Sequence, residues 1–346
     1  PPEAARRQSA PIVYGEDDRQ EYFEAAPVAQ ALLGSSMVAL VAKDNIVSGA
    51  QGPIPSTPSL GTAANLCPGE RFGQEPSVAF CSGVLVDWDL VLTAGHCARL
   101  FALNDYVVVF GFYYAAPGAL AATNADVAQP TEILAEALDP QGADPRLDFA
   151  WIRLDHPAMA PRRPAPIYVR PPPVDTGEPL LSIASGAGIP MKVDADGHVR
   201  DSRASSGDYF VADTDTSGGA SGGGAFDPQG ALLGVLARGG TDYVETDAGC
   251  NTVNVVPDGG EAQEQYTYAH RAVEALCGDG GAPSSICRAD CGNPCQASPQ
   301  PPATAGSGGC AVGPWRGARG WDKTWILLAV TLGLRRRVAR PHRRRL

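Results

Sequence analysis

At 346 residues, 44% of them hydrophobic, the chain can bury a sizeable core and is not a disordered protein as a whole. Its net charge of −11 excludes a body built to bind nucleic acid. The last twelve residues, RRRVARPHRRRL, run against that balance with seven arginines and no acid, an asymmetry that points to membrane topology instead.

Forty glycines and 31 prolines punctuate short clusters of Val, Leu and aromatic residues. That pattern predicts many brief strands joined by turns, an all-β fold. Residues 1–34 are polar and charged and read as an N-terminal leader or pro-segment. The first apolar run, SSMVALVA at Ser35 to Ala42, predicts the first buried strand and opens a domain expected to reach residue 277. Further strands are expected in SVAFCSGVLVDWDLVLTA, DYVVVFGFYY, DFAWIRLD, LLSIAS, DYFVADTD, ALLGVLARGG and CNTVNVV, each bounded by Gly, Pro, Asp or Asn. Only Tyr266 to Cys277 has helical apolar spacing.

From residue 278 to 309 the chain is small, polar and rich in Cys, Pro and Gly, which predicts a disordered linker or stalk with no core of its own. Residues 310–346 hold an apolar run, Trp325 to Leu334, that is short against the roughly twenty helical residues a bilayer needs. It reads as a transmembrane-like segment suited to transient sorting.

Nine cysteines, at 67, 81, 97, 250, 277, 287, 291, 295 and 310, favour disulfides and an oxidising compartment over zinc, because CRADCGNPC has three-residue gaps and no histidine at finger spacing. The odd count leaves at least one thiol with another fate. The chain opens on PPEAARRQSA, without a methionine or an apolar signal core, which fits the processed product of export.

The stretch CSGVLVDWDLVLTAGHC ends a strand on Gly95-His96-Cys97. A bridge between Cys81 and Cys97 would contribute about 3 kcal/mol and hold the imidazole in place, as a general base requires. Taken alone, the same residues make a turn histidine beside a structural disulfide. A base needs an orienting carboxylate; Asp148 stands immediately before the alternating strand DFAWIRLD, with Asp144 and Asp155 as competitors in a Gly-rich turn and a loop. A nucleophile needs converging backbone N–H groups, which glycines permit. DTSGGASGGGAFD supplies such a loop; Ser221 is preferred to Ser217 because three glycines and then a strand follow it.

In order, LTAGHC, DFAWIRL and GASGGGAF resemble the signature regions of the trypsin-like, chymotrypsin-fold serine proteases, in the bacterial branch that includes the glutamyl endopeptidases. The resemblance runs from about Ile12 to Cys277. It implies two six-stranded antiparallel β-barrels closed by a C-terminal helix and no cofactor or metal. His96 becomes general base and acid, Asp148 its carboxylate, Ser221 the nucleophile, Gly219 and Ser221 the oxyanion-hole donors, and Cys81–Cys97 the clamp. Substrates would be polypeptides, and a monomer is expected. DADGHVRD, Asp194 to Asp201, reads as an Asp-Gly hairpin turn and lacks the ligands of a calcium loop.

Two residues depart from the family pattern: Ala220 where Asp or Asn is usual, and Gly224 where Pro is usual. They leave a second reading, a catalytically weakened binding module displayed at the cell surface. By its offset from Ser221, Asp215 marks a pocket for Arg or Lys, whereas Arg238 would favour acidic side chains or neutralise Asp215. The tail, with Gly309-Cys310, the apolar run and the arginine cluster, resembles MYXO-CTERM sorting signals. That resemblance implies lipidation or processing at Cys310 by sorting machinery and anchoring at the bacterial surface or outer envelope.

Overall fold

Short β-branched and aromatic runs, cut by Gly, Asp or Asn before a helix can propagate, become the strands of the described residues. The computed structural model describes residues 13–257, 260–278 and 284–299; Cys310 and the sorting tail lie outside the described residues.

The first sheet is built from β1 (Met37–Ala42), β2 (Ala79–Asp87), β3 (Leu90–Thr93), β4 (Tyr106–Phe110), β5 in two pieces (Val127–Ala128 and Pro130–Leu138) and β6 (Asp148–Leu154). All neighbours are antiparallel. The two pieces of β5 lie at opposite ends of the strand order and are separated only by Gln129, so the sheet curls round onto itself through this segment. Gln129 spans the break: its side-chain amide donates to Leu103 O at 2.6 Å and to Tyr106 O at 3.1 Å.

The second sheet takes β7 (Leu181–Ala184), β8 in two pieces (Lys192–Asp194 and Val199–Asp201), β9 (Tyr209–Ala212), β10 (Gly224–Phe226), β11 (Leu232–Arg238) and β12 (Glu264–Tyr268). The pieces of β8 again terminate the order. Each sheet thus has seven hydrogen-bonded pieces drawn from six chain segments, where six strands are expected. The expected hairpin at Asp194 to Asp201 does not form. Its two arms pair with different strands, β7 and β9, and the Asp194 carboxylate bends the chain by accepting Asp196 N at 3.0 Å.

Alternation along β1 sends Val38 and Leu40 into one apolar cluster and Met37, Ala39 and Val41 into another. The latter also takes Trp151, Ile183, Phe226 and Val235, so both sheets contribute to it, and the site is built along this join.

Three expectations require correction. Tyr266 to Cys277 is not one helix: β12 runs to Tyr268 and the helix covers Ala269–Cys277. Tyr266 and Tyr268 are both buried at strand spacing, and Tyr266 stacks on Phe210 with centroids 5.3 Å apart. Residues 13–34 are part of the body. Val13–Tyr14 pairs in parallel with Val255–Val256, and helix Pro27–Ser35 buries Ala29, Leu32 and Leu33.

The stretch after Cys277 is not a disordered stalk over residues 284–299. Disulfides Cys277–Cys287 and Cys291–Cys295 reduce its entropy, and Ile286, Cys291 and Cys295 are buried in the main cluster. The sparse apolar content hid this, because half-cystines serve as core residues here. Asp87 Oδ2 accepts from Ser284 Oγ, Ser285 N and Ser285 Oγ at 2.7, 2.9 and 3.0 Å. Asp87→Ala is expected to cost about 1–3 kcal/mol by denaturant unfolding, and limited proteolysis should then cut first between 284 and 299.

Candidate active site

β3 ends at Thr93 and the chain turns through one helical turn, Gly95–Ala98, against the end of β6. A Cβ at Gly95 would sit 2.1 Å from Ala137 O and 2.9 Å from Phe149 O, so only glycine lets this turn approach so closely. The approach places His96 on Asp148. His96 Nδ1 lies 2.9 Å from Asp148 Oδ2, and the main-chain N–H of His96 donates to Oδ1 at 3.0 Å. One carboxylate grips ring and backbone together. With Nδ1–H directed at Asp148, Nε2 is left as the acceptor. Asp148 is buried while the His96 side chain remains 33% exposed, so the imidazole is accessible from solvent.

The Cys81–Cys97 bridge is present. Cys81, His96 and Cys97 are also the tightest group of potential metal ligands among the described residues, but the two sulfurs are bonded to each other. Cys97 Sγ lies 3.7 Å from Ser221 O, and Ser82 N donates to the same carbonyl at 2.7 Å, which brings the Ser221 loop beside the histidine turn.

Within that loop, Gly218 N donates to Asp242 Oδ2 at 2.9 Å, Ala220 N to Ser217 O at 2.8 Å, Gly222 N to Leu236 O at 2.7 Å and Gly223 N to Ala220 O at 2.8 Å. Among the described residues the amides of Gly219 and Ser221 donate to nothing. Gly219 sits at φ +92°, a conformation that favours glycine. Among the described residues the Ser221 hydroxyl has no hydrogen-bond partner. Ser217 turns inward, its Oγ buried without a partner, so it is removed from the opening. Asp155 faces His156 and Gln129 N, away from His96.

The two departures fit their surroundings. Ala220 is fully buried in the cluster of the second sheet, and a Cβ at Gly224 would lie 2.5 Å from the Phe226 ring and 3.0 Å from Val84 Cγ2. Glycine there lets Phe226 pack under the loop.

Asp215 and Arg238 are not brought together. Asp215 is buried: Oδ1 accepts Tyr14 N at 2.9 Å, its own N–H donates to Asp194 Oδ2 at 2.7 Å, and Oδ2 has no partner. Burial first, and then the neighbouring Asp194, push Asp215 up to about 8; burial and Asp18 push Asp194 up to about 7. Both hold protons that the unfolded chain releases near pH 4. Their contribution to stability is therefore fully present in acid and is lost as the pH rises from about 4 to about 8. Asp215→Asn, which keeps the acceptor for Tyr14, is expected to flatten that decline and gain a few kcal/mol at pH 9 relative to the parent, by urea unfolding at pH 5, 7 and 9.

Sequence reasoning missed three residues. Thr267 Oγ1 accepts Asp148 N at 3.3 Å and donates to Asp148 O at 3.0 Å, clamping the start of β6. Ser82 anchors Ser221 O, and its Oγ accepts Ser185 N at 2.9 Å. Tyr14 reaches Asp215 from the opposite end of the chain. None of the three carried a signal in its own sequence neighbourhood.

Residues 81–235 match the family model described as trypsin-like peptidase domain. No curated protein matches the chain. Among solved structures, Vibrio cholerae VesB protease is similar at 19% identity and a TM-score of 0.42, over 71% of this chain and 63% of that one. The active form of the M. tuberculosis protease Rv3671c is similar at 16% identity and a TM-score of 0.42, over 74% and 86%. A scabies mite inactivated protease paralogue is similar at 16% identity and a TM-score of 0.45, over 72% and 95%. His96 and Asp148, joined to each other, and Ser221 on the adjoining loop all fall within residues 81–235, the stretch that is similar to the trypsin-like peptidase domain.

Proposed function

We propose that the protein is an exported serine endopeptidase acting on polypeptides. Ser221 Oγ attacks the scissile carbonyl while His96 Nε2 takes its proton; the carbonyl oxygen, now negative, is met by the N–H groups of Gly219 and Ser221. Collapse breaks the C–N bond, His96 returns the proton to the leaving amine, and an acyl-enzyme forms on Ser221. Water deprotonated by His96 then releases the second product. The observation that supports the reading is the two undonated amides of Gly219 and Ser221, set among the engaged amides of Gly218, Ala220, Gly222 and Gly223.

The unbonded Ser221 hydroxyl favours a second reading, the catalytically weakened binding module. A serine-directed fluorophosphonate separates the two. Labelling at Ser221 that is abolished by Ser221→Ala and by His96→Ala supports the enzyme; an unlabelled parent chain supports the binding module. With Asp215 engaged by Tyr14 and holding a proton, peptide amides that differ only in the residue before the scissile bond are expected to show no strong preference for Arg or Lys.

Export is supported by the four disulfides among the described residues. Among the described residues no helix is long and apolar enough to cross a membrane. Surface anchoring through Cys310 and the tail rests on the sequence pattern; a chain ending at residue 309 should appear in the medium instead of the envelope fraction.

A further inference from the structure

Positive charge gathers behind the His96–Asp148 pair, and the hydrolysis above makes no use of it. Arg238, the last residue of β11, places Nη1 4.0 Å from Asp148 Oδ2, the oxygen that His96 Nδ1 reaches at 2.9 Å. The guanidinium is held there: Nε donates to Gln265 Oε1 at 2.7 Å, Nη2 to Arg146 O at 3.3 Å, and the group lies 5.0 Å over the Tyr209 ring. Its side chain is only 17% exposed.

The other charged groups around the pair have partners or repel Arg238. Asp208 is bound by Arg203 and Ser206, Glu264 by Tyr14, and Arg99 on the histidine turn by Glu136. Arg146 adds a second positive charge facing Arg238. Asp148 is therefore the one carboxylate within 4.0 Å of Arg238 among the described residues. A carboxylate favours the protonated form of a neighbouring imidazole, and a cation behind that carboxylate offsets part of its field.

We propose that Arg238 is a positioning residue that acts on His96 through Asp148, its charge offsetting part of the carboxylate's field at the imidazole. The kinetic arm of the test rests on hydrolysis at Ser221; the electrostatic arm rests only on His96, Asp148 and Arg238.

Arg238→Gln removes the charge and keeps a polar side chain near Gln265, whereas Arg238→Lys keeps the charge. In the full chain, the acid limb of kcat/KM is expected to move up by about 0.5–1 pH unit in Arg238→Gln, a three- to tenfold change in imidazolium dissociation, and to stay near the parent in Arg238→Lys. A merely structural role would lower the plateau and leave the limb in place. In a Ser221→Ala background the imidazole nitrogen resonances of His96 give the same midpoint without turnover. If Arg238→Gln does not fold, Arg238→Met removes the charge with an apolar side chain. A His96 midpoint within about 0.2 unit of the parent in the charge-free variant overturns the inference. A shifted midpoint in a chain that hydrolyses nothing overturns the peptidase reading and upholds the inference.

Discussion

Asp148→Asn is expected to lower kcat by about four orders of magnitude at pH 7, measured on any peptide amide the parent chain cleaves. Both donors of His96, Nδ1–H and the main-chain N–H, end on this one carboxylate at 2.9 and 3.0 Å. An asparagine has a single acceptor oxygen. Whichever donor it serves, its amide N–H₂ faces the other. If the backbone N–H keeps the oxygen, the ring must present Nδ1 as acceptor, and its proton moves to Nε2. In the proposed mechanism that leaves a proton on Nε2 where a lone pair is needed. Main-chain contacts to Thr267 do not involve the substituted group, so the variant should stay folded and lose activity. A drop of less than tenfold would mean that Asp148 does not set the tautomer of His96.

The largest effect on stability is expected at Trp151. It lies in β6 three residues beyond Asp148, is fully buried in the cluster to which both sheets contribute, and donates from Nε1 to Ala272 O at 2.7 Å in the helix Ala269–Cys277. Trp151→Ala should cost about 3–5 kcal/mol, combining lost burial, a cavity and an orphaned carbonyl. The midpoint of thermal unfolding would fall by on the order of 10 °C. Trp151→Phe keeps most of the volume and loses the hydrogen bond, so its cost should be roughly a third of that. If Trp151→Ala unfolds like the parent, this cluster does not join the two sheets as its contacts imply.

The strands were legible because their apolar runs alternate or are buried on both faces, and the punctuating Gly, Asp and Asn residues set their ends. β12 shows where this fails. Tyr266-Thr267-Tyr268 precedes Ala269–Cys277 without a break, so apolar residues at period two run into apolar residues at period 3.6, and a short window reads the whole as helix. The segment after Cys277 failed for a different reason: its core residues are half-cystines and one isoleucine, and composition counts such a segment as polar.

His96, Asp148 and Ser221 could be singled out from the chain because each sits in a short motif whose chemistry needs that residue type. Two disulfide partners sixteen residues apart could be paired by the same route. Arg238 against Asp148, Tyr14 against Asp215 and Thr267 against the start of β6 depend on segments distant in sequence being laid side by side, and no local pattern encodes a contact across 90, 201 or 119 residues. Residue types and local periodicity are written along the chain, so strands and candidate catalytic groups can be read there. Which charge faces which carboxylate is a matter of through-space distance, and that exists only after the two sheets have closed and packed.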